Sequence, residues 1–273
     1  VFGEKAKKEI RDLIDWRPFA TTWGMKPEDL LKTDAGDDLM KDAFHMLDLI
    51  LSSPEQKQSS DIFQKPSNEE NNIKIKAAIS INPCTKTGND ITVHYKGTKT
   101  TFNFIRQPMQ KTSGKNLCLT DFLHKRDWLG CFTVWVAGID EKAELLTRSG
   151  DDYRGILIQS LGDRLAEATA EYMHKMIREK FWGYQEDHLT ADEIIEEKYA
   201  GIRPAPGYPA CPDHTQKIKI LKWLNIPSSE VKLTEGLAML PKSAVCGWYF
   251  ANPESKYFGM GRLPKSYLDD LEK

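Results

Sequence analysis

The stretch KAAISINPCTKTGNDITVHYKGTKTTFNFI, residues 76–105, decides the fold class. Within it, Lys76 to Asn82, Asp90 to Tyr95 and Thr100 to Ile105 are short β-branched runs bounded by Pro, Gly and Asn, the composition of strands. So little chain separates the second run from the third that antiparallel pairing is expected there. A fourth run of the same kind, Gly130 to Ala137, follows. Nowhere do strands and helices alternate regularly across short turns, which counts against a doubly wound parallel sheet. The expected class is α+β with an antiparallel sheet.

Outward from this stretch the pattern turns helical. Downstream, Asp151 to Trp182 is the strongest single element: Leu157, Leu161, Leu165, Ala168, Tyr172 and Met176 advance by three or four along one apolar face. Thr190-Ala-Asp-Glu193 is a capping box, opening a helix expected to end at Gly201. Asp213 with Gln216 starts another, running to about Leu224. Two late strands are expected, Ala244 to Phe250 and Tyr257 to Leu263, then a short final helix with Pro264 in its first turn. Upstream, residues 4–15 read as an amphipathic helix carrying Ala6, Ile10, Leu13 and Ile14 on one face, ended by Asp15-Trp16-Arg17-Pro18. A second covers roughly 36–51. From Ser52 to Lys74 the chain is rich in Ser, Gln, Asn, Glu, Lys and Pro, the composition of a long exposed polar loop. No internal repeat is visible.

The bulk numbers narrow the function classes. The chain has 273 residues, 40% hydrophobic and 29% charged, ordinary for a globular protein with a real core. Its 38 basic and 40 acidic residues are mixed, giving a net charge of -2 with no long basic block for nucleic acid or a membrane surface. The five cysteines, Cys84, Cys118, Cys131, Cys211 and Cys246, are scattered without a CxxC pair, poor material for disulfides or a cysteine-rich zinc site. They read as reduced thiols, which points to the cytoplasm. There is no bilayer-spanning apolar run and no signal-peptide pattern. The start at Val1, with helical periodicity beginning almost at once, leads us to expect a piece of something longer.

The chemistry concentrates between Gly201 and Asp213: Gly-Ile-Arg-Pro-Ala-Pro-Gly-Tyr-Pro-Ala-Cys-Pro-Asp. Such a run of Pro and Gly cannot form a helix or a central strand, and its prolines make it stiff before anything binds. Stiffness lowers the ordering cost of binding. Amides and carbonyls left out of secondary structure can read a flat polar ring such as adenine. Arg203 can fork onto a carboxylate, and Tyr208 offers an aromatic face and a hydroxyl. Composition alone leaves an equal alternative, a rigid packed connection with an exposed arginine.

Arg203-Pro-Ala-Pro-Gly207-Tyr208-Pro-Ala-Cys-Pro-Asp-His214 resembles the RxxxGY segment that binds S-adenosylmethionine (AdoMet) in the reactivation domain of cobalamin-dependent methionine synthases. Ile14-Asp15-Trp16-Arg17-Pro18-Phe19, Cys118-Leu-Thr-Asp-Phe122, Asp163-Arg-Leu-Ala-Glu167-Ala, Trp182-Gly-Tyr184 and Gly247-Trp-Tyr-Phe250 are similar to further segments of that family, in its order. The resemblance spans nearly the whole chain. It implies a single C-shaped α+β domain over residues 1–273, with a central antiparallel β-sheet flanked by helices and 52–74 as a polar loop insertion. It implies AdoMet held against a cobalamin-binding module of the same enzyme when the cofactor has been oxidised to inactive cob(II). A flavodoxin-type donor then supplies one electron, and AdoMet methylates the resulting cob(I). Cobalamin would sit in the partner domain, and zinc only in other domains of the full enzyme.

On the resemblance, Arg203 would pair with the AdoMet carboxylate and Asp15 with its amino group. Tyr257 and Phe258 would line the same pocket. Ala205, Gly207 and Tyr208 would supply backbone contacts and shape, Gly207 by allowing close approach. Asp163 and Glu167, four residues apart on one helix face, are candidates for contact with AdoMet or the cobalamin domain. Each has a plainer reading: Asp15 as a helix-terminal Asx turn with Arg17, and the Asp163/Glu167 pair as a solvated face. No residue of this chain is expected to be a catalytic acid, base or metal ligand, because the two reactants need only alignment.

Some features depart from the family pattern. The 52–74 stretch is long, Asn82-Pro83-Cys84 stands where an aromatic before the proline is common, and Cys246 stands where serine is usual. A conventional AdoMet methyltransferase would need a GxGxG turn, and radical AdoMet chemistry three close cysteines; neither occurs. A metal hydrolase would rest on Cys211 and His214 alone, with no HExxH. The remaining rival is a docking module for the cobalamin domain or flavodoxin without a self-contained AdoMet site.

Overall fold

The computed structural model describes residues 2–52, 73–108, 114–186 and 188–261. Its centre is a five-stranded sheet of β1 (Lys74–Thr87), β2 (Asp90–Tyr95), β3 (Thr98–Asn103), β4 (Arg126–Ala137) and β7 (Ala244–Tyr249), in the order β3-β2-β1-β4-β7. Every neighbouring pair is antiparallel. Two short strands, β5 (Lys232–Leu233) and β6 (Met239–Leu240), form a separate ribbon. Among the described residues the α-helices are α1 (Glu4–Asp12), α2 (Trp16–Thr22), α3 (Asp34–Leu51), α4 (Ile139–Arg148), α5 (Asp152–Met176), α6 (Ala191–Ile195) and α7 (Gln216–Trp223). This is the expected α+β class. Among the described residues no helix is long and apolar enough to cross a membrane.

β4 shows why the sheet sits where it does. Phe132, Val134 and Val136 point into one cluster with α1, α3 and α5, while Leu129, Cys131 and Trp135 point into a second. A strand puts successive side chains on opposite faces, so a strand apolar at both parities must be covered twice. On the second face the cover includes Ile220 and Leu221 of α7. Two-residue turns close the β1–β2 and β2–β3 hairpins, and in the β2–β3 turn Lys96 (φ 44°) and Gly97 (φ 80°) both take the left-handed conformation of a type I′ turn. All five cysteines are buried and free.

Several boundaries differ from the sequence reading. β1 runs straight through Pro83, because Pro83 pairs with Trp128 of β4 but lies before the first β2 partner at Cys84, so no β2 bond is lost. The first helix stops at Asp12; Asp15 does not end it but caps α2, accepting the Arg17 amide at 3.0 Å. Pro18 then falls in the first turn of α2, where no backbone donor is needed. The Thr190–Glu193 capping box forms, but α6 ends at Ile195 rather than at Gly201. The expected strand from Tyr257 is not a strand over 257–261. The free edge of β7 is already taken: Ile202 bridges Phe250, and the Trp248 amide donates to Pro204 O at 3.0 Å. The rest of that strand, the final helix and residues 53–72 of the polar loop lie outside the described residues; at the loop's end Ile73 is buried and Lys74 opens β1.

Candidate functional site

The proline-rich loop is fastened at both ends. Ile202 and Pro204 are tied to β7, and beyond them the chain turns back on itself. The Gly207 amide donates to Cys211 O at 2.8 Å, and the Cys211 amide to Tyr208 O at 2.9 Å. Some amides expected to be open to a ligand are therefore spent inside the loop. Gly207 has φ +94°, and a Cβ there would stand 2.3 Å from Cε1 of His214, so glycine is required twice over. His214 thus wedges the loop from beneath. Asp213 accepts the Thr215 amide at 2.8 Å and the Gln216 side chain at 2.6 Å, starting α7 as its sequence suggested.

Between this loop, α5 and the sheet lies a cavity of about 520 Å³. Its walls are largely apolar, with Phe132, Ala170, Pro204, Val245 and Phe258 on them and Tyr257 at the edge. A second cavity of about 700 Å³, with Asp15, Arg17 and Arg164 on its walls, shares Glu167, Glu197, Arg203 and Tyr208 with the first. The two adjoin across those shared residues. Arg203, Ala205, Tyr208, Tyr257 and Phe258 thus gather on the first cavity, and Asp15 on the second. Gly207 stays in the turn rather than on a wall. Glu167 faces both cavities, whereas Asp163 lines a different groove and accepts the Ser243 hydroxyl at 2.7 Å. The helix-face pair is divided.

Arg203 is not an exposed arginine. It is paired with Glu171 of α5, and the two side chains keep only 12% and 10% of their exposure. Burial works against its charge, but Glu171 ahead of other neighbours outweighs it, so the guanidinium is held above its ordinary range. Glu197 approaches its other terminal nitrogen at 3.8 Å, an ion-pair distance too long for a hydrogen bond. The Arg203 amide donates to the Tyr257 hydroxyl at 3.1 Å, tying the late segment to the loop. Burial pushes that phenol up to about 12. Burial also pushes the Asp15 carboxyl upward, but two side-chain hydrogen bonds from Arg17, at 2.8 and 2.9 Å, hold it below the usual carboxylate value. The charge of Glu167, then burial, raises Tyr208.

Glu171, Glu197 and Arg164 were missed by sequence reasoning. Glu171 carried a signal: Glu167, Glu171, His174 and Arg178 advance by four, three and four, a polar stripe on the long helix. Counted together, Asp15, Glu167, Glu171, Glu196 and Glu197 face Arg17, Arg164 and Arg203, five negative charges against three positive.

An α+β domain whose buried arginine sits at the junction of an apolar cavity and an acidic one has groups that complement a small molecule with a carboxylate, positive charge and a flat apolar part. Comparison with known proteins identifies the family. Residues 7–273 match the family described as vitamin B12 dependent methionine synthase, activation domain, and the chain belongs to it. Among solved structures it is similar to one described as the MetH reactivation domain bound to AdoHcy, at 35% identity and a TM-score of 0.83. That match covers 97% of this chain and 82% of the other.

Proposed function

We propose that this chain, over residues 1–273, binds S-adenosylmethionine across the two joined cavities and presents its methyl group to cobalamin, for reductive remethylation of the inactive oxidised cofactor in a methionine synthase. The observation that carries the reading is Arg203, a buried and charge-held guanidinium at the junction of the two cavities. The methionine end takes the acidic cavity, its carboxylate at Arg203 and its amino group at Asp15. The adenosine takes the apolar one, between Phe132, Phe258 and the loop. AdoMet carries a carboxylate, an ammonium and a sulfonium, a net positive charge that the five-to-three excess of acidic groups favours. Glu167, facing both cavities, lies where the sulfonium between the two ends falls. A relative solved with AdoHcy supports the same ligand class, because AdoHcy lacks only the methyl and its charge.

Transfer breaks the S–CH3 bond, leaves the electron pair on sulfur and needs no general base. Cobalamin, held by a partner module of the same enzyme, supplies the nucleophile when reduced by a flavodoxin-type donor. This chain's residues bind the sulfonium, orient it and leave its methyl facing outward, a proximity task. The isolated chain therefore binds without turning over. The setting is methionine biosynthesis in the cytoplasm, with zinc confined to other domains.

Calorimetric titration of AdoMet into the chain tests this. One-to-one binding that weakens by about a hundredfold in Arg203→Ala is expected, the scale of removing one partner from a buried charge pair. No heat with the wild type sinks the reading and leaves a docking module.

A further inference from the structure

Arg203 does not stand alone at the junction. Glu171 commits both of its oxygens, Oε1 to Arg203 Nη2 in a short ion pair and Oε2 to the Tyr199 hydroxyl at 3.1 Å. Tyr199 is fixed in turn. The His174 ring meets it edge-on with centroids 4.8 Å apart, and the Arg178 guanidinium lies over its face at 4.0 Å. His174 stacks on Tyr249 at 5.2 Å, and its Nε2 lies 3.1 Å from the Tyr184 hydroxyl. Glu171 and His174 come from one face of α5, and Arg178 from the π-helical turn Ile177–Phe181 that continues it, so this lattice of rings and charges is anchored on the long helix and its extension. Glu171 is its last member before the ligand cavities.

A guanidinium is planar and donates in a fixed fork, so its value to a carboxylate ligand depends on where the plane points. Two carboxylates compete to set that plane. Glu171 is buried and doubly held; Glu197 is 43% exposed, reaches Arg203 only at 3.8 Å, and lines both cavities. Were Glu171 uncharged, the attraction of Glu197 would draw Arg203 across the space that a ligand carboxylate needs.

We propose that Glu171 is the positioning residue of the site, holding the Arg203 guanidinium, with Tyr199 as its brace, in the orientation that receives the ligand carboxylate. The proposal rests on the AdoMet reading above and adds a second residue on which carboxylate recognition depends. Glu171 itself touches Arg203, not the ligand carboxylate.

The test compares two ligands, AdoMet and decarboxylated AdoMet, titrated by calorimetry into the full chain and its Glu171→Gln variant. Glutamine keeps the shape and an acceptor oxygen but removes the charge. We expect AdoMet to bind about tenfold more weakly to the variant, the scale of one charge-assisted hydrogen bond. Decarboxylated AdoMet should lose clearly less than AdoMet, because it makes no use of the Arg203 fork and feels only the loss of one cavity carboxylate's general attraction for a cation. Equal losses for both ligands overturn the proposal, since they indicate a structural role or a contact with the amino group. Tighter AdoMet binding overturns it too, because Glu171 would then be a competitor for Arg203. Tyr199→Phe removes only the brace and settles the matter if Glu171→Gln does not fold: an AdoMet loss of about threefold, absent with decarboxylated AdoMet, is expected, because the lost hydrogen bond holds Glu171 and only part of it is transmitted to the ligand. If the wild type binds neither ligand, the AdoMet reading itself has failed; if it binds AdoMet and the asymmetry is missing, only the positioning role has.

Discussion

At Gly207 two demands fall on one residue. Its φ of +94° disfavours any side chain, and the imidazole of His214 occupies the place of a Cβ, with Cε1 at 2.3 Å and Nδ1 at 2.9 Å. Gly207→Ala should therefore cost at least about 2 kcal/mol, the sum of backbone strain and overpacking. Urea unfolding reads this as a lower midpoint at unchanged slope. In a His214→Ala background the packing part should return and the backbone part remain. A Gly207→Ala chain as stable as the wild type would mean that the loop relaxes freely, against its two cross-turn hydrogen bonds. The glycine, the arginine four residues before it and the tyrosine after it were all legible in the sequence, because they form one contiguous segment. Glu171 was not: a carboxylate on a long helix looks like a solvated one until a distant loop lays an arginine on it.

For α6 the start was legible and the end was not. Thr190 and Glu193 hold their reciprocal capping bonds at 3.3 and 2.9 Å, both local in sequence. At the other end Gly201 is the obvious stop and does turn left-handed, yet Glu197 has already done so four residues earlier, with φ +57°, and the Lys198 amide closes back onto Glu193 O at 2.9 Å. That early stop carries Glu197 to Arg203 instead of continuing the helix past it. A non-glycine residue in this conformation is tolerated at a cost. Glu197→Gly should thus raise stability by up to about 1 kcal/mol, while weakening AdoMet binding through loss of a site carboxylate. Denaturant unfolding and calorimetry on the same sample check both signs, and a variant less stable than the wild type contradicts the strain argument. The long helix α5 was readable over nearly its full length because its apolar repeat outlasts any local exception. The strand expected at Tyr257 failed because strand pattern says nothing about whether a sheet edge is free.

Across the whole molecule, the acid response should report the lattice behind the site. His174 is fully buried, and burial first, then the charges of Arg178 and Arg203, hold its imidazole well below its ordinary 6.5. Above pH 6.5 the imidazole is neutral in folded and unfolded chains alike, and its contribution to stability is complete. As pH falls below that value the unfolded chain takes up a proton that the folded chain refuses. Stability should then fall by about 1.4 kcal/mol per pH unit until the folded value is reached. Urea unfolding between pH 8 and 5 should show this slope, and His174→Gln should flatten it whatever its effect on stability at pH 8. The same slope in both proteins would assign the acid response to other groups.

What the sequence determined by itself was whatever is carried by neighbours along the chain: the antiparallel class, the long helix, the cap of α6, the stiff loop with Arg203, Gly207 and Tyr208, and the resemblance built on them. These signals are local because hydrogen-bonding period, capping and backbone restriction act over a few residues. Tertiary structure alone decided which charges meet. Asp15 comes from the first helices, Glu171 from α5, Glu197 from the end of α6 and Arg203 from the loop, with at most 188 positions between the first and last of them. It also decided that Asp163 and Glu167, alike in sequence, part company at Ser243. An ion pair between distant segments leaves no periodicity behind; it exists only because the sheet fixes where α5 and the loop must pass each other.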